Sequence, residues 1–226
     1  NIHAPAKVLQ TPLQQQLAEW REKGTWIIGH FGSIYPKKNS DGVLDIVAEL
    51  RSRGHDVKAI FVGSFIKGHD NVEEAFRAKL ERLNLVDCVT VTGYVETAEE
   101  VFSIFSQVDV FAYSFEEGLT SRRASVLTCL QSGRPVVVNA PLDPSEFDHH
   151  EGFGRAMSLG GLQFVARADD PQSYAECIER LMLNPPVTSM PDFETSWQAA
   201  TRVLMAAIKD DADAPTERPG AKLENV

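Results

Sequence analysis

The 226-residue sequence predicts a doubly wound α/β domain, in which a parallel sheet of about six strands carries helices on both faces. Three observations lead there. The strand-like segments are apolar throughout rather than alternating, as strands are when both faces of a parallel sheet are covered. Strand-like and helix-like segments alternate along the chain with short connections. The loops richest in chemistry, Gly32–Lys38, Gly63–Gly68, Gly93–Glu96 and Ser114–Ser121, all fall at the carboxyl ends of strands. Open parallel sheets place their ligands there, near a topological switch point.

Each element has its own signal. Thr25–Phe31 is a compact apolar run ended by Gly32, and Asp41–Arg53 follows with Val43, Leu44, Ile46, Val47 and Leu50 at helical spacing before Gly54. Val57–Val62 reads as the second strand, and Asn71–Leu83 as a helix opened by a capping box, Asn71-x-x-Glu74. Cys88–Thr92 is the third strand, and a second box, Thr97-x-x-Glu100, starts the helix that runs through Ser106. Asp109–Tyr113 is the fourth strand, Ser121–Ser132 its helix and Pro135–Asn139 the fifth strand. Leu162–Val165 is the sixth, and Pro171–Leu183 a helix with proline at its first position. Residues 1–24 read as a connection and lead-in, 25–208 as the domain with a closing helix anchored by Trp197, and 209–226 as an acidic disordered tail.

Composition narrows the function classes. A net charge of −10 argues against broad nucleic-acid binding, which needs a basic face. The three cysteines, Cys88, Cys129 and Cys177, are odd in number and set in apolar surroundings, so they read as reduced core thiols of a cytosolic protein. No apolar run approaches the roughly 20 residues that a membrane span needs. His149-His150 lies on a polar loop without further ligands at zinc spacing, so no metal site is expected.

Two loops carry the chemistry. In His30-Phe31-Gly32-Ser33-Ile34-Tyr35-Pro36-Lys37-Lys38-Asn39 a glycine after a strand allows close backbone approach, and a lysine precedes a helix start, where amides already favour anions. His30, at the strand terminus, is a candidate for a pocket role. In Glu116-Glu117-Gly118-Leu119-Thr120-Ser121-Arg122-Arg123 the carboxylates suit sugar hydroxyls, and the free amides of Leu119 to Ser121 suit phosphate oxygens. Arg122 and Arg123 oppose the helix dipole unless an anion or a nearby carboxylate offsets them. The alternatives are a surface turn with solvated lysines and an acidic turn balanced by its own arginines.

Together these segments resemble the nucleotide-binding, C-terminal half of retaining glycosyltransferases built from two Rossmann-like domains, the GT-B architecture of the family 4 type (glycosyl transferases group 1). The resemblance covers roughly residues 1–208. The family's Gly-Arg-Leu-x-x-x-Lys-Gly segment reads Gly32-Ser33-Ile34-Tyr35-Pro36-Lys37-Lys38-Asn39 here, so Lys38 matches the lysine on the donor diphosphate while Ser33 replaces arginine. Val91-Thr92-Gly93-Tyr94-Val95 matches the strand whose loop holds the base; Val108-Asp109-Val110-Phe111 and Gly133-Arg134-Pro135-Val136-Val137 match two further segments. Glu117-Gly118 matches the first glutamate of the family pair; the second would fall at Ser125 or Thr128, neither of which is acidic.

The resemblance implies a hexosyltransferase-like enzyme of carbohydrate biosynthesis that holds a UDP- or GDP-sugar and transfers the glycosyl group with retention, without metal. Glu117, Lys38, Arg122 and Arg123 would act on the reacting sugar and diphosphate; Gly32, Ser33, Tyr94, Val95, Gly118, Leu119, Thr120, Ser121, Ser125 and Thr128 would bind the rest of the donor. Arg122 or Arg123 would restore the charge missing at Ser33. The acceptor would sit on a preceding N-terminal domain, lacking here, which leaves this segment inactive by itself. A cytoplasmic protein, peripheral to a membrane, is implied. Two other readings stand beside it, a catalytically silent nucleotide-sugar-binding domain and a flavodoxin-like regulatory or interaction domain.

Overall fold

A computed structural model of the chain describes residues 9–66, 71–186 and Met205. The tail from 209, Trp197 and the first eight residues lie outside the described residues. The elements named below fall within residues 1–191, one of two units into which the chain divides.

In chain order they are α1 (Pro12–Glu22), β1 (Trp26–Phe31), α2 (Gly42–Ser52), β2 (Val57–Val62), α3 (Val72–Arg82), β3 (Val89–Val91), α4 (Ala98–Phe105), β4 (Val110–Tyr113), α5 (Ala124–Gln131), β5 (Val136–Asn139), α6 (Glu151–Ser158), β6 (Leu162–Val165) and α7 (Pro171–Leu183). The six strands form one parallel sheet in the order β3-β2-β1-β4-β5-β6. The expected doubly wound α/β class is therefore the observed one. The continuous apolar strands are its reason: β4 and β5 are buried at every position and β1 at four consecutive ones.

Two cores sandwich the sheet. On one face α2, α3 and α7 bury Val43, Val47, Leu50, Phe76 and Ile178 against Ile28, Phe61 and Val137. On the other, α1, α4, α5 and α6 bury Leu17, Phe105, Val126 and Phe153 against Ile27, Phe111 and Val138. At Gly29 a strand residue without Cβ makes room for the ring of Phe111, its cross-strand partner on β4. A methyl there would lie 2.6 Å from two ring carbons of Phe111 and 2.8 Å from Val108 Cγ1. Gly29→Ala is expected to cost about 1–3 kcal/mol by overpacking, read as a lower urea midpoint at unchanged slope.

Three sequence expectations are corrected. The lead-in before β1 contains a helix, α1, and a further helix, α6, stands where the sequence predicts no element. Helix α5 begins at Ala124, three residues later than Ser121. Asn71 sits at the N-cap of α3 but makes no capping bond, whereas Thr97 Oγ1 does accept the Glu100 amide at 3.2 Å. The expected start of α7 is observed: Pro171 takes the first position, behind an Asp170 cap that accepts the Ser173 amide at 3.1 Å.

Strands β1 and β4 are neighbours, yet the chain leaves β1 for one face through α2 and β4 for the other through α5. This is the switch point. In sheets of this kind the ligand crevice lies at such a point, here between the Gly32–Ser40 and Ser114–Arg123 loops. Asp109, before β4, fixes the opposite end, accepting the Ile27 amide at 2.8 Å and Arg21 Nε at 2.9 Å.

Candidate functional site

Lys38 closes a short 3₁₀ turn, Pro36–Lys38, after β1. The next residue, Asn39, is left-handed (φ 49), and its side-chain amide donates to Ser114 Oγ at 2.8 Å. Ser114 Oγ in turn donates to the Ala168 carbonyl at 3.0 Å, so the β1, β4 and β6 loops are tied together under the crevice. The Lys38 side chain folds back over Gly32. A Cβ built on Gly32 would lie 2.5 Å from Lys38 Nζ and 3.6 Å from Ser125 Cβ. Glycine, here at φ 115, leaves that space to the ammonium.

Arg123 occupies the N-cap position of α5 and lays its guanidinium on the Phe115 ring, Cζ 4.5 Å from the centroid. Its Nε is buried and has no partner among the described residues. Lys38 is only 8 % exposed, and its pKa is pushed below the ordinary lysine value, first by burial and then by the Arg123 charge beside it. Neither cation has a carboxylate within ion-pair distance among the described residues. Two cations within electrostatic reach of each other, one nearly buried and both without a carboxylate among the described residues, make a surrounding that suits an anion.

The floor beneath them is neutral. His30 is 1 % exposed, packed between the Phe61 and Tyr113 rings, and its pKa is lowered to about 3 by burial and by Lys38. Its Nδ1 lies 3.2 Å from the Ala112 carbonyl, which can only accept. Nδ1 therefore carries the proton, and Nε2 is a bare, buried lone pair without a partner among the described residues. Tyr113 donates its hydroxyl to the Phe31 carbonyl at 2.9 Å and contacts Cys129 Sγ at 3.2 Å. Burial raises both the phenol and the thiol pKa. His30 is thus part of the floor of the crevice, not of its mouth.

The β4–α5 loop differs from its sequence reading. Its amides are not all free: Leu119 N donates to the Asn139 carbonyl at 3.2 Å, and Ser121 N to Glu146 Oε1 at 2.6 Å. Asn139 also clasps Phe115 from both sides, accepting its amide at 2.8 Å and donating to its carbonyl at 2.7 Å. Leu119 is fully buried, so its side chain is core rather than ligand surface. Glu116 and Glu117 stand exposed at the loop's tip, with Gly118 turning at φ 74. Thr120 and Ser121 lead into the arginines, of which Arg122 is exposed and Arg123 turns inward.

The other expected contacts are spread around this rim. Ser33 is exposed beside Gly32. Ser125, in the first turn of α5, reaches the Gly32–Lys38 contact and the Tyr113 hydroxyl. Thr128 points into its own helix, donating to the Ala124 carbonyl at 3.0 Å. Tyr94 is 79 % exposed past the carboxyl end of β3, while Val95 packs partly into the core. The His149-His150 pair is a helix start: His150 Nδ1 accepts the Phe153 amide of α6 at 3.4 Å. No cluster of metal-ligating side chains occurs among the described residues. Cys88, Cys129 and Cys177 are buried and free, and no described helix is long and apolar enough to cross a membrane.

Asn139, Glu146 and the Arg123–Phe115 stack were not read from the sequence. Each joins residues 8 to 25 positions apart through loop geometry that no local pattern announces.

Comparison with known proteins fits this geometry. The profile of the family described as Glycosyl transferases group 1 matches residues 25–184. A search of curated proteins finds no match. Among solved structures, HepE of Anabaena, crystallised with UDP and glucose, superposes with a TM-score of 0.60 at 17 % identity, over 91 % of this chain and 53 % of that one. The C-terminal domain of LpcC, a glycosyl transferase group 1 family protein of Francisella tularensis, gives 0.57 at 16 % identity over 81 % and 89 %. A trehalose 6-phosphate synthase from Burkholderia multivorans gives 0.59 at 12 % identity over 93 % and 50 %. The present chain thus spans about half the length of the HepE chain. The six-stranded parallel sheet is the Rossmann-like fold of GT-B C-terminal domains. With the profile covering most of the folded domain, the chain belongs to the glycosyl transferases group 1 family.

Proposed function

We propose that this chain is the donor-binding half of a retaining, family 4-type glycosyltransferase, holding a nucleoside-diphosphate sugar in the crevice between the β1 and β4 loops. The observation that carries the reading is the Lys38–Arg123 pair, two cations within electrostatic reach of each other at the switch point, without a carboxylate partner among the described residues.

Glycosyl transfer breaks the bond between the sugar's anomeric carbon and the diphosphate, which leaves with the electron pair. Negative charge therefore grows on phosphate oxygens while the sugar gains oxocarbenium character. Cations already fixed in place stabilise the departing charge without reorganising. Lys38 and Arg123 take this role. Arg123, not the exposed Arg122, supplies the charge that Ser33 lacks. The neutral His30, Tyr113 and Cys129 beneath keep the site free of a competing anion. Glu117, at the exposed loop tip, orients the sugar hydroxyls, and the exposed Tyr94 ring is assigned to the base. The donor chemistry comes from the substrate and these side chains, with no metal required. We assign acceptor recognition to a second, N-terminal domain, and turnover to the two together. The buried free thiols support a reducing, cytoplasmic setting.

One observation favours a second reading, a binder that does not turn over. Ser125 and Thr128 stand where the second glutamate is expected, and Thr128 spends its hydroxyl on Ala124. Calorimetry with UDP, GDP and UDP-glucose tests donor binding. Micromolar to sub-millimolar affinity for one diphosphate is expected, and no heat with any of them rejects both readings. Donor hydrolysis, assayed with the N-terminal domain supplied, separates a transferase from a silent binder.

A further inference from the structure

The Glu146–Ser121 contact has no part in the donor reading above, yet it sits at a decisive place. Thr120 to Arg123 form a turn closed by the Arg123 amide on the Thr120 carbonyl at 3.0 Å. Ser121 is the second residue of that turn, and its amide is held at 2.6 Å by Glu146 Oε1 from the β5–α6 loop. The carboxylate's pKa is lowered by that backbone bond and by a second bond from the Ser121 hydroxyl, so it is ionised near neutrality. Glu146 is positioned in turn: its own amide donates to the Asp143 carbonyl at 3.1 Å, and Phe147 beside it is buried. On the other side of the turn, Arg123 lies on Phe115, whose backbone Asn139 clasps.

We propose that Glu146 is a positioning residue that fixes the Thr120–Arg123 turn and thereby aims Arg123 at the anion site it shares with Lys38. The two ends of the turn are then held by different elements, Asn139 through Phe115 and Glu146 through Ser121. A charge-assisted bond of this kind is stronger than a neutral one, so Glu146 contributes more order than a serine or asparagine cap. Glu146 acts through Arg123 and does not touch the donor. The fixing of the turn stands by itself, while the aiming of Arg123 at an anion rests on the donor reading.

The first test needs no ligand. Amide hydrogen exchange on the full chain is expected to show the Ser121 amide losing about 10- to 100-fold protection in Glu146→Ala and a smaller part of it in Glu146→Gln, which keeps a neutral acceptor. Unchanged Ser121 protection in Glu146→Ala overturns the proposal. The second test is a double-mutant cycle read as UDP affinity. Glu146→Ala is expected to weaken UDP binding about 3- to 10-fold, and to add less than about 2-fold in an Arg123→Gln background. Deleting a carboxylate near an anion site by itself tightens anion binding, so a loss has the opposite sign to a through-space charge effect. Tighter binding, or equal loss in both backgrounds, overturns the proposal. If the wild-type chain binds no nucleoside diphosphate, the donor reading falls, and the exchange result alone decides whether Glu146 fixes the turn.

Discussion

Lys38→Met is expected to weaken UDP binding about 10- to 100-fold while leaving the ligand-free protein as stable as the wild type or more so. The two effects separate because they have different origins. In the free protein the Lys38 ammonium is nearly buried and faces Arg123, so its charge is a cost, which is why its pKa lies below 10.5. The folded chain then holds this proton less tightly than the unfolded one. The cost is fully present below the folded pKa and is relieved as pH rises from there towards the unfolded value. A diphosphate reverses the balance, because it favours the charged form and raises the pKa. Binding therefore takes up protons at alkaline pH, and affinity falls as pH climbs past the free-state value. Arg123→Gln is expected to lose affinity to a similar degree, whereas Arg122→Gln, exposed and off the crevice, changes it less than about 2-fold. Titration calorimetry in buffers of different ionisation heat measures affinity and proton uptake together. Equal effects at Arg122 and Arg123 would remove the assignment.

Acid stability is the second large effect. His30 is neutral in the fold, with a pKa of about 3, against 6.5 in an unfolded chain. As pH falls through that window the unfolded state takes up a proton that the folded state refuses. Stability due to this residue is thus intact above pH 6.5 and drains away towards pH 3. The loss is at most roughly 4–5 kcal/mol across the window by linkage. His30→Gln keeps a polar side chain but has no titrating group, so its stability falls less steeply between pH 6 and 4. Urea midpoints of both proteins at several pH values give the comparison. Parallel curves for wild type and variant would show that His30 does not carry this dependence.

Much of the fold was legible because parallel sheets demand continuous apolar strands, and β1, β2, β4 and β5 have them. The misses have physical causes. Helix α1 is mostly polar, with Leu13, Leu17 and Trp20 as its thin apolar stripe, and only Leu17 is fully buried. Helix α6 contains two glycines in eight residues, which local propensity opposes; burial of Phe153 and Ala156 and the His150 cap outweigh it. Helix α5 starts at Ala124 rather than Ser121 because Thr120–Arg123 form a separate turn, closed by the Arg123 amide on the Thr120 carbonyl and held at Ser121 by Glu146, 25 residues away.

The same split runs through the site. Lys38, Gly32 and Glu117 sit at strand ends, where position along the chain already implies position in space. The choice between Arg122 and Arg123 was not legible, since adjacent residues in a turn point in different directions. Only the Phe115 ring and the partnerless Nε identify Arg123 as the inward one. Thr128 was a candidate by counting residues, and helix geometry turned its hydroxyl to Ala124 instead.

The most direct measurement is a crystal structure of the chain with UDP. The account predicts the diphosphate in the β1–β4 crevice, with phosphate oxygens within hydrogen-bond distance of Lys38 Nζ and of the Arg123 guanidinium, and Ser121 still bonded to Glu146. A nucleotide bound elsewhere, or seated in the crevice with Lys38 and Arg123 both unengaged, would contradict it.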